Sequence, residues 1–221
     1  TVTLGRGAVH MARKNVIVKH LDAMQNFGSI DVLCSDKTGT LTSGEMSLEE
    51  HLDPFGASCE RVFVLAYLNS LHETGIANPL DEAIKERHRS DPLDTAVLKH
   101  DHPDIQDYEK VDEIPFDFER RRVSIVVKHN DETLLIAKGA PESVLSVCTA
   151  YEVDNQQHDL DEVTHARIEN TYRDLCAKGY RSLAVAYARV PTKDVYTASD
   201  ENGLVLAGFL TFSDPLLPTA Q

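Results

Sequence analysis

Apolar and polar positions alternate along this chain in two periods, one helical and one extended. Residues 57–71 place Val62, Leu65, Ala66, Leu68 and Leu71 at helical intervals, which predicts a helix with one buried face. Asn78-Pro79-Leu80-Asp81-Glu82-Ala83-Ile84 opens a second helix, with Asn as its cap and Pro in its first turn. The phrase recurs as Asp91-Pro92-Leu93-Asp94-Thr95-Ala96-Val97-Leu98, which reads as another capped helix rather than a repeat architecture. Residues 141–147 predict a short helix, and residues 161–178 a longer amphipathic one closed by Gly179. Near the start, residues 6–15 read as a basic helix and residues 21–27 as a short helix stopped at Gly28.

Extended segments follow the other rhythm. Residues 122–128 and 133–138 are β-branched runs joined by Asn130-Asp131, a hairpin signal. Residues 182–188 and 204–210 predict two more strands, and Val16-Ile17-Val18 a short one. The apolar run Ile30-Asp31-Val32-Leu33-Cys34-Ser35 predicts a buried parallel strand ending at Asp36. Hairpin-joined strands with helices to the side predict an α+β domain on an antiparallel sheet with flanking helices. An acidic stretch after Gly44 marks where it begins, so the chain divides into 1–43, 44–210 and 211–221, the α+β unit being inserted in a partial α/β one.

Composition narrows the function classes. A hydrophobic share of 42% with 26% charged residues belongs to a soluble globular protein. A formal net charge of −14 argues against nucleic acid as a partner, although Arg120-Arg121-Arg122 concentrates positive charge locally. Cys34, Cys59, Cys148 and Cys176 lack the paired spacing of a zinc site or a disulfide framework, and the ten histidines form no metal-binding pattern. No segment reaches the roughly 20 apolar residues of a bilayer span, and the start lacks both a signal-peptide core and an initiator Met.

The chemistry concentrates in Asp36-Lys37-Thr38-Gly39-Thr40-Leu41-Thr42. A carboxylate at a strand end, followed by a flexible turn, is where open α/β sheets carry their reactions. Asp36 can attack a phosphoryl group to give an aspartyl-phosphate, while Gly39 admits close approach and the Thr38 and Thr40 hydroxyls hold phosphate oxygens. Thr38 occupies the position, two after the nucleophile, where related phosphatases carry a second Asp as acid–base group. A hydroxyl there does not activate water, so the acyl-phosphate should persist.

This heptapeptide resembles the phosphorylation signature of P-type ATPases, ion pumps of the haloacid-dehalogenase superfamily. Three further phrases resemble that family's nucleotide-binding domain, in the family's order: Ile114-Pro115-Phe116-Asp117-Phe118-Glu119-Arg120-Arg121-Arg122, Lys138-Gly139-Ala140-Pro141-Glu142, and Gly179-Tyr180-Arg181-Ser182-Leu183-Ala184. The resemblance implies ATP and Mg²⁺, with Asp36, Lys37, Thr38 and Thr40 as the catalytic set and Asp36 and Thr38 at the metal. It implies Phe116 against adenine, Arg121 and Arg181 toward phosphates, and Lys138 with Gly139 at the pocket floor. An acidic pocket residue is Asp81 or, from the doubled phrase, Asp94.

By this resemblance 1–43 and 211–221 are parts of a haloacid-dehalogenase-like phosphorylation domain with a stalk end, and 44–210 is the nucleotide-binding domain. Residues 15–34 and 112–122 look most like the magnesium-transporting branch, with proton and calcium pumps as alternatives. The family's later Thr-Gly-Asp and Gly-Asp-Gly-x-x-Asn-Asp segments do not occur in these 221 residues. The implied partners are ATP or ADP and the remaining domains of one pump at a membrane's cytoplasmic face, and the expectation is nucleotide binding with little or no turnover. A different class, a stand-alone nucleotide-binding module that never phosphorylates Asp36, shares the same pocket.

Overall fold

The computed structural model describes residues 2–20, 22, 24, 26, 29–32, 34–36, 40–42, 46–75, 78–90, 107–214 and 217. Its centre is an eight-stranded sheet of β1 (Ser47–Leu52), β2 (Glu109–Ile114), β3 (Arg122–His129), β4 (Glu132–Gly139), β5 (Cys148–Val153), β6 (Gln156–Asp159), β7 (Arg181–Arg189) and β8 (Leu204–Ser213). Strand order is β2-β3-β4-β7-β8-β5-β6, and β1 also pairs with β8. The helices are α1 (Val2–Ala12), α2 (Glu60–His72), α3 (Pro79–Ser90), α4 (Pro141–Leu145) and α5 (Glu162–Ala177).

Both faces of the sheet are covered, which is why its central strands read as unbroken apolar runs. One face packs Ile125, Ile136, Val185 and Phe212 against Phe63, Leu68 and Ile84 of α2 and α3. The other packs Leu135, Ala137, Ala184 and Phe209 against Val144 and Leu145 of α4 and Ile168 and Leu175 of α5. Successive residues of β4 thus feed two cores, as the two-residue period requires. At roughly 1.5–3 kcal/mol for each large side chain removed from water, these two layers supply most of the fold's stability.

The predicted ends of helices are where local chemistry puts them. Asn78 Oδ1 accepts the Leu80 N–H at 3.0 Å and starts α3. Asp161 accepts the Thr164 N–H at 2.7 Å and starts α5. That helix closes on Gly179 at φ +88°, with Gly179 N donating to Cys176 O and Tyr180 N to Leu175 O, a Schellman ending. Asn130, at φ +55°, turns the β3–β4 hairpin.

Four corrections follow. The sheet is mixed rather than antiparallel, because β5 runs parallel to β8. A parallel pair needs a long crossover, which β6, α5 and β7 provide. The strand expected to carry Asp36 is not formed: residues 30–32 and 34–36 have no strand pairing and are exposed. Val16-Ile17-Val18 is likewise unpaired, with Ile17 85% exposed. An apolar run becomes a strand only beside a partner, and neither segment finds one among the described residues. Finally, the sequence reading missed β1, β2, β5 and β6, whose polar outer positions hide their period; only Asp154-Asn155, both left-handed, signals the β5–β6 hairpin. The helix expected over 21–27 and the doubled phrase at 91–98 fall largely or wholly outside the described residues.

Gly208 sits where one edge of β8 passes from β5 to β1. Its φ of +151° and a Leu52 carbonyl 1.9 Å from any added Cβ make this a position for glycine alone.

Candidate functional site

One end of the sheet gathers most of the predicted site residues. The C-terminal ends of β2 and β4 and the N-terminal ends of β3 and β7 meet there, with Ile114 opposite Ser124, Arg122 opposite Gly139, and Gly139 opposite Ala184. The C-terminal turn of α2 lies over this end. Asn69, wholly buried, fastens it by donating Nδ2 to Ile136 O at 2.8 Å.

Lys138 points from β4 toward that turn and is 3% exposed. Its Nζ is bonded to Asp81 Oδ1 of α3, to Ser70 Oγ at 2.8 Å and to Glu73 Oε2 at 3.4 Å. Ser70 also donates to Asp81 Oδ1 at 2.9 Å. A lysine is kept charged in an apolar wall only by such partners. The cluster brings together the predicted Lys138 and Asp81, and adds Ser70 and Glu73, which sequence reasoning missed. No local pattern distinguishes those two from ordinary helix residues; only the burial of the α2 end does. Burial pushes the Glu73 carboxyl above its ordinary value, with Lys138 opposing and Asp81 reinforcing the shift. Asp94, the alternative acidic residue, lies outside the described residues.

Gly139 follows Lys138 and lets two backbones touch. An added Cβ would lie 2.4 Å from Arg121 O and 2.6 Å from Arg122 Cα. Ala140 N donates to that same Arg121 carbonyl at 2.9 Å.

Phe116 and Phe118 stand on the turn between β2 and β3, 49% and 90% exposed, edge to face at 5.5 Å. Asp117 holds the turn: its Oδ1 accepts the Glu119 and Arg120 N–H groups at 2.8 Å, and its backbone carbonyl accepts Arg121 N at 2.8 Å. The Arg120 N–H, with help from the Arg120 guanidinium, holds the Asp117 carboxyl below its ordinary value. Exposed aromatic rings on so tightly bonded a turn mark a contact surface. Arg121 is left-handed at φ +48° and exposed, with Glu142 3.8 Å away. Arg120 and Arg122 turn inward. Arg181 is exposed at the first position of β7, opposite Phe212 and on the face shared by Leu183 and Val185.

The α2 end is tied to β2 as well. Lys110 Nζ donates to His72 O and to Glu113 Oε2, both at 2.6 Å, and Thr74 donates to Glu113 through both N and Oγ1. Burial would raise the Glu113 carboxyl, but the Lys110 and Thr74 bonds outweigh it and hold the pKa below normal. Burial, then the nearby Lys110 charge, lowers the His72 pKa, and its Nε2 is buried without a partner among the described residues. A histidine depressed on folding binds fewer protons in the native state, so stability falls as pH drops below about 6.5, the unfolded value. Urea unfolding at pH 7.5 and 5.5 should show that loss, and His72→Gln should reduce it.

The signature segment is separate. Asp36 and Thr40 are exposed, while Lys37, Thr38 and Gly39 lie outside the described residues. Among the described residues no hydrogen bond or ion pair joins Asp36 to the Lys138 cluster. At the end of the signature, Thr42 is wholly buried and donates Oγ1 to Asp214 Oδ2 at 2.7 Å, and Leu217 N donates to Leu41 O at 2.9 Å. The chain's entry to the sheet domain and its exit therefore run side by side.

Comparison with known proteins identifies the family. The family model described as P-type ATPase, cytoplasmic domain N, matches residues 93–219, more than half of the chain. The magnesium-transporting ATPase, P-type 1, of Escherichia coli K12 is 42% identical over 217 residues, covering 97% of this chain and 23% of its own length. A calcium-transporting ATPase of Listeria monocytogenes is 26% identical over 97% of this chain and 26% of its own. Plasma membrane ATPase 2 of Saccharomyces cerevisiae is 31% identical over 86% of this chain and 19% of its own. The chain thus spans about a quarter of the length of such relatives, and its identity is higher to the magnesium-transporting one. With this family match over more than half of its length, this chain belongs to the P-type ATPases, residues 93–219 matching their cytoplasmic domain N.

Proposed function

We propose that this chain is the ATP-binding portion of a cation-transporting P-type ATPase of the magnesium-transporting branch, and that it carries the phosphorylation loop of that pump. Residues 44–210 bind the nucleotide, and residues 1–43 and 211–221 belong to the phosphorylation domain at the cytoplasmic face of a membrane. The observation that carries this reading is the meeting of Phe116, Arg121, Gly139 and the Lys138–Asp81 pair at one end of the sheet.

Adenine stacks on Phe116, Arg121 and Arg181 meet the phosphates, and Lys138, held by Asp81, charges the floor. In the whole pump the domain swings on its paired entry and exit, Thr42 with Asp214, to bring the γ-phosphate to Asp36. An Asp36 carboxylate oxygen bonds to the γ-phosphorus as the bond to the ADP oxygen breaks, and ADP departs. Such transfers use Mg²⁺, and the residues described here do not fit a complete site for it. No group of three or more acidic, His or Cys side chains that could hold a metal lies among them. No step is therefore assigned to a metal held by this chain, and the isolated chain should bind ATP with little or no turnover.

Calorimetric titration with ATP tests the pocket. Phe116→Ala should weaken binding by roughly tenfold, within the ~1–3 kcal/mol that a base–aromatic stack contributes. Unchanged affinity in Phe116→Ala and Lys138→Ala would show the pocket to be elsewhere. Acid-stable, hydroxylamine-labile phosphate should form on Asp36 in the full-length pump and not on this chain alone.

A further inference from the structure

Glu201 is 0% exposed and lies directly behind the aromatic turn. Its Oε1 and Oε2 accept Arg120 Nη1 at 2.7 and 2.8 Å, Oε2 accepts Arg122 Nε at 2.8 Å, and Oε1 accepts Ser124 Oγ at 2.6 Å. Arg122 is held from its other side by Ser143, whose Oγ and carbonyl accept Nη1 at 2.9 and 3.1 Å. The free end of Arg120 then reaches back along the turn, donating to Pro115 O and to Asp117 Oδ2. Those two residues bracket Phe116.

We infer that Glu201 is the positioning residue for the Phe116 ring, acting through Arg120. A buried carboxylate fixes the guanidinium, and the guanidinium fixes the Pro115 carbonyl on one side of the ring and the Asp117 carboxylate on the other. Without it, a ring that is half exposed would sample many orientations, and its ordering would be charged against each binding event. The same network divides the arginine triplet by task. Arg120 and Arg122 are neutralised inside, with side chains 18% and 10% exposed, and Arg121 alone, at 53%, is left for an anionic ligand. Glu201 itself is anchored by the turn that precedes it, a 3-10 turn at Ala198–Asp200 closed by a Thr197–Asp200 capping box. The loop is joined to β2 through the Tyr196 N–H, which donates to Asp112 Oδ2 at 2.7 Å.

This inference rests on Phe116 being the base platform, and the test separates the two. Affinity for ATP would be measured by titration for the wild-type chain and for Glu201→Gln, Phe116→Ala and the double variant. Glu201→Gln keeps the shape of the side chain and removes the charge. It should weaken binding by about tenfold in the wild-type background and by less than about twofold once Phe116 is gone. Equal losses in both backgrounds, or no loss in either, would overturn the positioning role. Arg120→Ala breaks the same link from the solvent side without emptying the core, and it should repeat the pattern if Glu201→Gln fails to fold. A wild-type chain that binds no ATP would remove the base platform and this role with it. ATP binding that is indifferent to Phe116→Ala would do the same, while leaving nucleotide binding intact elsewhere.

Discussion

Lys138→Met should lose about 3–5 kcal/mol of stability and, in the same variant, most of the affinity for ATP. Methionine matches the length of the lysine stem, so the loss does not come from a cavity. It comes from Asp81, which is 5% exposed and would be left buried without its cation. Ser70 Oγ would still donate to Asp81 at 2.9 Å, but one hydroxyl does not balance a buried carboxylate, and Glu73 stands beside it. Urea unfolding measures the first effect and ATP titration the second. The double variant Lys138→Met, Asp81→Asn should recover much of the stability, because a neutral amide bonds to Ser70 without an unpaired charge. Affinity should not recover with it if Lys138 is the cation that the proposed site turns to the nucleotide. A double variant that regains ATP binding would mean that Lys138 serves the fold alone.

What the sequence disclosed follows the same division between local and long-range causes. Caps and stops were legible because they act within a few residues: Asn78 before Pro79, Asp161 before its helix, Gly179 after it. The central hairpin was legible because β3 and β4 are buried on both faces and so are apolar throughout. Strand β1 was hidden, since Ser47–Leu52 exposes charged or polar side chains and takes its place from β8, far along the chain, and β6 was hidden because Gln156–Asp159 is polar and exposed throughout. The site divided likewise. Lys138, Asp81, Phe116 and Arg121 belong to short phrases that can be recognised as phrases. Ser70, Glu73 and Glu201 matter only because α2 and the loop before β8 come to rest against those phrases, and nothing adjacent to them in sequence announces it. The failure at Ile30-Asp31-Val32-Leu33-Cys34-Ser35 is the converse case, in which strand composition found no neighbouring strand among the described residues.

Gly139→Ala should be nearly as damaging as the loss of Lys138, by a different route. The residue pairs with Arg122 across β3 and β4, and its missing side chain is what lets the turn that ends at Arg121 close onto the strand. A methyl group there would meet Arg121 O at 2.4 Å, Arg122 Cβ at 2.5 Å and Arg122 Cα at 2.6 Å. Two of these three are backbone atoms, so no side-chain rotation relieves the contact, and the strands must part. Separation costs the bond from Ala140 N to Arg121 O and shifts Arg122 off Glu201. Overpacking of this kind typically costs about 1–3 kcal/mol, and the broken network adds to it. Arg121 and Phe116 ride on the displaced turn, so ATP affinity should fall together with stability. Lys138, one residue earlier and facing the other side of the sheet, should keep its bond to Asp81. Thermal unfolding, ATP titration and the amide resonances of residues 116–122 against those of Ser70 and Asp81 would resolve the two. Movement confined to the turn is the expected result, and a variant with wild-type stability and affinity would mean that this close approach does not shape the site.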